Sequence, residues 1–238
     1  MPENLVIEEL DWAVIPRKAQ MISDAVERYG IKSVIDVGAC WGVNGGYTFH
    51  ALGTGKVERA VILDGDITRL MRQRAANEPR ISLREGDLGD VAFIESLPHS
   101  DAAIIYDVLL HQVAPDWDEF LARYARKVDH LIVYNQDWDG ERTIRFLDQG
   151  WDFYLRHVPD DPERLQAWFC KLDDLHPTMN RRWRDVHNYW QWGITHWDLI
   201  ETMRTLGFEL DWFNYFGPWS PKHPKIRLDG YLFRRKPR

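Results

Sequence analysis

The sequence predicts an α/β fold in three layers, a mostly parallel sheet with helices on both faces, interrupted by one aromatic-rich insertion. Short apolar runs alternate with amphipathic helical stretches through residue 134, which is the pattern of βαβ units. The runs are short and mostly apolar, as strands covered on both faces are. A glycine-bearing turn follows the first run directly and places a ligand site at the carboxyl end of the sheet.

Each element has its own local signal. Pro16 to Tyr29 spaces apolar residues for a helix, opens on a proline that a first turn tolerates, and stops at Gly30. Strands are expected at Ser33–Val37, Ala60–Leu63, Ile81–Leu83, Ala102–Tyr106 and His130–Tyr134, with helices at Ile67–Ala76 and Trp117–Lys127. From Asn135 to Gly193 no clean strand is legible, and many aromatics lie among charges and histidines. The alternation resumes at Thr195, an N-cap before HWDLIETMRTLG. Strand-like Phe208–Phe213 and, past a Pro/Gly loop, Gly230–Arg234 close the chain. The expected organisation is a core over 1–134, a lid insertion over 135–194, and a closing helix and strands over 195–238, one domain overall.

Composition bounds the partners. The chain has 238 residues, 45% of them hydrophobic, enough for one domain with a full core. Net charge is −7 with acids and bases interspersed, so no continuous basic face exists for nucleic acid. The two cysteines, Cys40 and Cys170, have neither disulfide-framework nor metal-ligand spacing. The acidic start MPENLVIEELDW is unlike a secretion signal, and no apolar run is long enough for a bilayer. A cytoplasmic protein with no membrane partner is expected, and a homodimer is compatible with the composition.

The turn SVIDVGACWG carries the chemistry. A nicotinamide fingerprint fails, because from Gly38 the glycine positions hold Cys40 and Val43; a P-loop fails because Val57 follows Gly55-Lys56. Asp36, just before the turn, would repel a diphosphate and attract a ligand bearing an ammonium group. Cys40 and Trp41 read as packing residues.

Asp36-x-Gly38-x-Cys40-x-Gly42 resembles motif I of the class I S-adenosylmethionine-dependent methyltransferases, acid-x-Gly-x-Gly-x-Gly, with the middle glycine replaced by Cys40. Val61-Ile62-Leu63-Asp64, Glu85-Gly86-Asp87 and Ile104 to His111 continue the resemblance after the second, third and fourth strands. It implies a Rossmann-like fold with a seven-stranded sheet and S-adenosylmethionine as cofactor. Asp36, Gly38 and Gly42 would then line the cofactor, Asp64 would take the ribose hydroxyls, and Asp87 would take the adenine amino group. The expected activity is methyl transfer to a hydroxyl of a small molecule or saccharide. His111, just beyond the fourth strand, is the base candidate, with Asp107 beside it and His187 in the insertion as a substitute. Asp107, Asn135 and Asp137 are similar to the Asp, Asp-Asn set of magnesium-dependent catechol-type O-methyltransferases, although Gln136 separates the last two; the implied metal is Mg2+. The lid's tryptophans offer faces for sugars or aromatic rings, and Arg142, Arg145, His176, Arg181 and Arg182 offer polar contacts, while most lid aromatics are expected to form a small core of their own. Two other classes compete: a non-catalytic protein that binds the cofactor, and an NAD-dependent oxidoreductase, which Asp36 and the failed fingerprint disfavour.

Overall fold

The computed structural model describes residues 13–159, 162–186 and 189–237. Its sheet has seven strands in the order β3-β2-β1-β4-β5-β9-β8. The strands are β1 Ser33–Val37, β2 Arg59–Asp64, β3 Ile81–Glu85, β4 Ser100–Tyr106, β5 Val128–Trp138, β8 Phe208–Ser220 and β9 His223–Arg235. Strands β3, β2, β1, β4 and β5 pair in parallel, and β9 runs antiparallel to both its neighbours. The chain moves outward from β1 to β2 and β3, then returns to β4 on the other side of β1. That reversal opens a crevice at the carboxyl ends of β1 and β4.

Helices α1 Pro16–Tyr29, α2 Gly46–Gly53 and α3 Arg69–Ala76 cover one face, and α4 Val91–Glu95, α5 Trp117–Ala125 and α8 His196–Thr205 cover the other. Strand alternation divides the core accordingly. Ile35, Val37, Ile105, Leu131 and Val133 pack with α5 and α8, whereas Val34, Ile104, Ile132 and Tyr134 pack with α1 and α2. Local caps match the sequence signals: Gly30 ends α1 in the left-handed region at φ 64°, and the Thr195 hydroxyl accepts the Asp198 N–H at the start of α8.

Three elements depart from expectation. Strand β5 continues past Tyr134 to Trp138, because β9 pairs with it from His130 as far as Trp138 against Ile226. The expected Pro/Gly loop between the last two strands is instead the outer half of a long hairpin, with Pro218 opposite Arg227. Strand β8 lies at the sheet edge, where a proline deletes no ladder bond, and register shifts at Tyr215/Pro218 absorb it. Helix α4 has five residues and no periodicity to read; Asp90 caps it by accepting the Phe93 N–H.

The insertion contains helices α6 Trp151–His157 and α7 Pro162–Phe169 and a two-stranded sheet, β6 Ile144–Arg145 with β7 Trp192–Gly193. Trp138, Phe146, Tyr154, Leu165 and Trp168 form its own core, with Tyr189 stacked 3.8 Å from Trp168. Its return segment docks on the strand tips: the Gln191 N–H donates to the Leu110 carbonyl and the Trp138 N–H to the Ile194 carbonyl.

Candidate active site

The turn after β1 is built from left-handed backbone. Gly38, Gly42 and Gly45 have φ near 70°, and Asn44 has φ 43°. A Cβ on Gly38 would sit 2.8 Å from Val108 Cγ2, so the β1 turn and the segment after β4 touch across the crevice. Gly38→Ala is therefore expected to lower unfolding free energy by at least about 1–2 kcal/mol, the cost of a left-handed alanine, before the Val108 contact is counted. A urea midpoint equal to wild type would contradict this.

Asp64 stands at the tip of β2 and fastens the turn. Its Oδ2 accepts the Cys40 N–H at 2.8 Å and its Oδ1 accepts the Asp66 N–H at 3.2 Å. Burial pushes its carboxyl upward despite these bonds. Cys40 is buried with Ala39, Ile62, Ile67 and Met71, and burial holds its thiol protonated. Both cysteines are free, Cys170 being exposed. Trp41, expected to pack, is instead 41% exposed at the crest of the turn, beside the buried Cys40.

Asp36 is not presented to the crevice. It lies inside β1, 3% exposed, on the face covered by α1 and α2, where Thr48 Oγ1 of α2 donates to its Oδ2 at 2.6 Å. Desolvation raises its pKa to about 7, with the Thr48 bond opposing. Asp87 is exposed after β3, its Oδ1 accepting the Gly89 N–H.

Asp107 follows the last residue of β4 at φ 57°. Lys18 Nζ of α1 is bonded to its Oδ2, and Gln136 Nε2 of β5 donates to its Oδ1. Lys18 is 3% exposed, its ammonium 4.3 Å from the centre of the Tyr134 ring and within 6 Å of the Tyr47 and Tyr106 rings. One signal for Lys18 was legible: with Ile22 and Ala25 it falls on the i, i+4, i+7 stripe of α1, a core position for a charged residue. Gln136 and Thr48 had no such signal.

His111 ends a single 3-10 turn, Leu109–His111. Its Nδ1 lies 2.6 Å from the Tyr189 carbonyl of the insertion. A carbonyl only accepts, so Nδ1 carries the proton and the lone pair of the neutral ring is on Nε2. His187 lies outside the described residues.

The structure does not assemble Asp107, Asn135 and Asp137 into one ligand set. Alternation along β5 places Asn135 and Asp137 on the face opposite Gln136, which holds Asp107. Both are fully buried; Asn135 Nδ2 donates to Asp137 Oδ1, and the Tyr231 hydroxyl bonds to Asp137 Oδ2. The donors expected to hold Mg2+ thus do not fit it. Among the described residues, Asp137, His196 and Asp229 bring ligand atoms within 4.8 Å of one another. Arg227 already bonds Asp229 at 3.0 Å, and burial with the Asp229 charge drives the Asp137 pKa upward, so a shared proton compensates this pair. Arg145, a candidate substrate contact, is spent within the insertion on Asp185 and Gln191.

Several solved structures share this fold. An O-methyltransferase family protein from Burkholderia thailandensis superposes with a TM-score of 0.58 at 16% identity, over 93% of this chain and 56% of its own. The N-terminal domain of EvdMO1, solved with SAH and D-fucose, gives 0.59 at 13% identity over 94% of this chain and 85% of its own. The 1,6-didemethyltoxoflavin-N1-methyltransferase of Burkholderia thailandensis, solved with bound 1,6-didemethyltoxoflavin and S-adenosylhomocysteine, gives 0.57 at 13% identity, over 92% and 78%. The chain spans about half the length of the first of these and of mitomycin 7-O-methyltransferase MmcR, 56% and 53%. No protein-family model and no curated relative matches the chain. Among the described residues no helix is long and apolar enough to cross a membrane.

Proposed function

We propose that this chain, which has the class I methyltransferase fold, transfers the methyl group of S-adenosylmethionine to a hydroxyl of a small molecule or saccharide held under the insertion. The observation that carries the proposal is the set of carboxylates at three strand tips around the crevice: Asp64 at the end of β2, Asp87 after β3 and Asp107 after β4. Such a rim fits a cationic nucleoside rich in hydrogen-bond donors and repels a diphosphate, which separates this cofactor from a dinucleotide. O-methyltransferases among the fold relatives, and the D-fucose in whose presence the EvdMO1 domain was solved, support the hydroxyl and saccharide choice.

The bound cofactor would supply an electrophilic methyl on sulfur. The protein's part is to align the acceptor and exclude water. Asp64 would accept from the ribose hydroxyls while holding the Cys40 turn, and Asp87 would accept from the adenine amino group. The insertion closes the acceptor side through Gln191 on Leu110 and Tyr189 on His111. With its tautomer set by the Tyr189 carbonyl, His111 would take the acceptor's proton on Nε2. No step runs through a metal ion.

His111→Gln is expected to lower turnover by about 10²–10⁴, the usual worth of a positioned base, with cofactor affinity unchanged. Isotope transfer from labelled cofactor to a panel of hydroxylated acceptors, sugars included, measures this; wild-type turnover in the variant would place the base elsewhere. Exhaustive chelation is expected to leave turnover intact, and a loss that added Mg2+ restores would contradict the metal-free mechanism.

A further inference from the structure

We infer that the methyl acceptor carries a carboxylate, which Arg17 at the start of α1 binds together with the Tyr134 hydroxyl. The inference deepens the methyl-transfer proposal and rests on it, since it names the acceptor's charge. Arg17 stands between the tip of β5 and the β8–β9 hairpin. Its guanidinium carbon is 5.7 Å from the centre of the Tyr134 ring and 5.5 Å from that of Phe216 in β8. Among the described residues no acid pairs with it, and its buried Nε has no hydrogen-bond partner. The neighbouring cation, Lys18, is already bonded to Asp107, so those two charges cancel and Arg17 is left uncompensated. Lys18 and Gln136 both reach Asp107 at the tip of β4, so the site adjoins the crevice.

Two buried side chains beside Arg17 also hold polar atoms without partners. Tyr134 is 1% exposed and its hydroxyl is unbonded; Gln136, on the same face of β5, is 5% exposed and its Oε1 is unbonded. Burial raises the Tyr134 phenol and the Arg17 charge acts against it, which puts the guanidinium within reach of that end of the ring. Buried polar groups are nearly always bonded, so two on one face of a strand tip, next to a lone guanidinium, mark a place that a ligand completes. The helix adds to the field. Ile15 gives the start of α1 no side-chain cap and its first turn holds no acid, so the positive end of the helix dipole is unopposed there. One net positive charge matches a monoanion better than a phosphate dianion. The planar guanidinium, backed by two ring faces, offers a carboxylate two parallel N–H bonds, and the Tyr134 hydroxyl can donate a third. Gln136 Oε1 only accepts, so it takes a donor, which a hydroxyl near the carboxylate supplies. A hydroxy acid, aromatic or saccharide, meets all three groups.

Ligand-observed NMR titration of the protein saturated with S-adenosylhomocysteine tests the assignment. The probes are 4-hydroxybenzoate and D-glucuronate, their neutral counterparts 4-hydroxybenzamide and D-glucose, and inorganic phosphate. At least one carboxylate is expected to bind at least about tenfold more tightly than its neutral counterpart, the effect of one charge-assisted hydrogen bond, and more tightly than phosphate. Which of the two does so separates an aromatic from a saccharide acid. Arg17→Met should abolish the preference, Arg17→Lys should keep part of it because the charge stays and the fork is lost, and Tyr134→Phe should shrink it. S-adenosylhomocysteine is expected to bind all three variants as it binds wild type, which also reports that they fold; if Arg17→Met does not fold, Arg17→Lys carries the comparison. Acids and neutral counterparts bound alike, a preference undiminished in the Arg17 variants, or phosphate bound as tightly as the carboxylates overturns the inference. A folded Arg17→Met that loses S-adenosylhomocysteine assigns the arginine to the cofactor and overturns it too. Each of these results leaves the methyl-transfer proposal standing, whereas wild type that does not bind S-adenosylhomocysteine removes both.

Discussion

Asp64→Ala is expected to abolish cofactor binding while the protein remains folded. The carboxylate has two tasks, and alanine removes both. It would accept from the ribose hydroxyls, each such charge-assisted bond being worth about 1.5–3 kcal/mol, so the pair accounts for at least a hundredfold in affinity. It also holds the Cys40 N–H, a side-chain link between the tip of β2 and the middle of the glycine turn. Without that link the turn loses the shape that presents its backbone. The stability cost is smaller: one orphaned N–H, about 1–3 kcal/mol, partly offset because the carboxylate is itself poorly solvated. Asp64→Asn keeps an oxygen for Cys40 and loses the charge, so it should fall between wild type and alanine. Affinity for S-adenosylhomocysteine measured by calorimetry, beside a urea melt of each variant, separates the two tasks. Unchanged affinity in Asp64→Ala would remove Asp64 from the site.

Asp36→Asn should remove a large part of the pH dependence of stability. The carboxyl has an ordinary value of 3.8 and is raised to about 7 by burial. Between about pH 4 and 7 the folded chain keeps a proton that the unfolded chain has lost, so stability falls as pH rises through that window and then levels off. Each unit of separation is worth about 1.4 kcal/mol, which makes this one residue a term of several kcal/mol at pH 8. Asp137, raised by burial and by Asp229, adds a slope of the same sign. The difference between wild type and Asp36→Asn cancels that background, because the two groups belong to different clusters. Urea unfolding at pH 4.5 and pH 8 measures it: the variant should gain on wild type at the higher pH. A difference independent of pH would show that Asp36 titrates normally.

The parallel half of the fold was legible because its strands are short apolar runs bounded by turn residues, as in Ala60–Leu63 before Asp64. The β8–β9 hairpin was not, since Gly217, Pro218 and Pro221 signal a break that an edge strand tolerates. At the site, the positions of Asp64, Asp87, Asp107 and His111 follow from strand ends alone. Their partners do not. Lys18 meets Asp107 across 89 residues and Tyr231 meets Asp137 across 94, separations that no local pattern encodes. Asp36 shows the limit most clearly: sequence places it one residue before the end of β1, but strand alternation turns it toward Thr48 and away from the crevice.

The central claim is that the crevice between β1 and β4 binds S-adenosylmethionine and not a dinucleotide. Titration of the wild-type protein with S-adenosylhomocysteine and with NADH, followed by calorimetry, tests it most directly. Saturable one-to-one binding of S-adenosylhomocysteine with no heat from NADH is the expected result. Saturation by NADH with none by S-adenosylhomocysteine would contradict it.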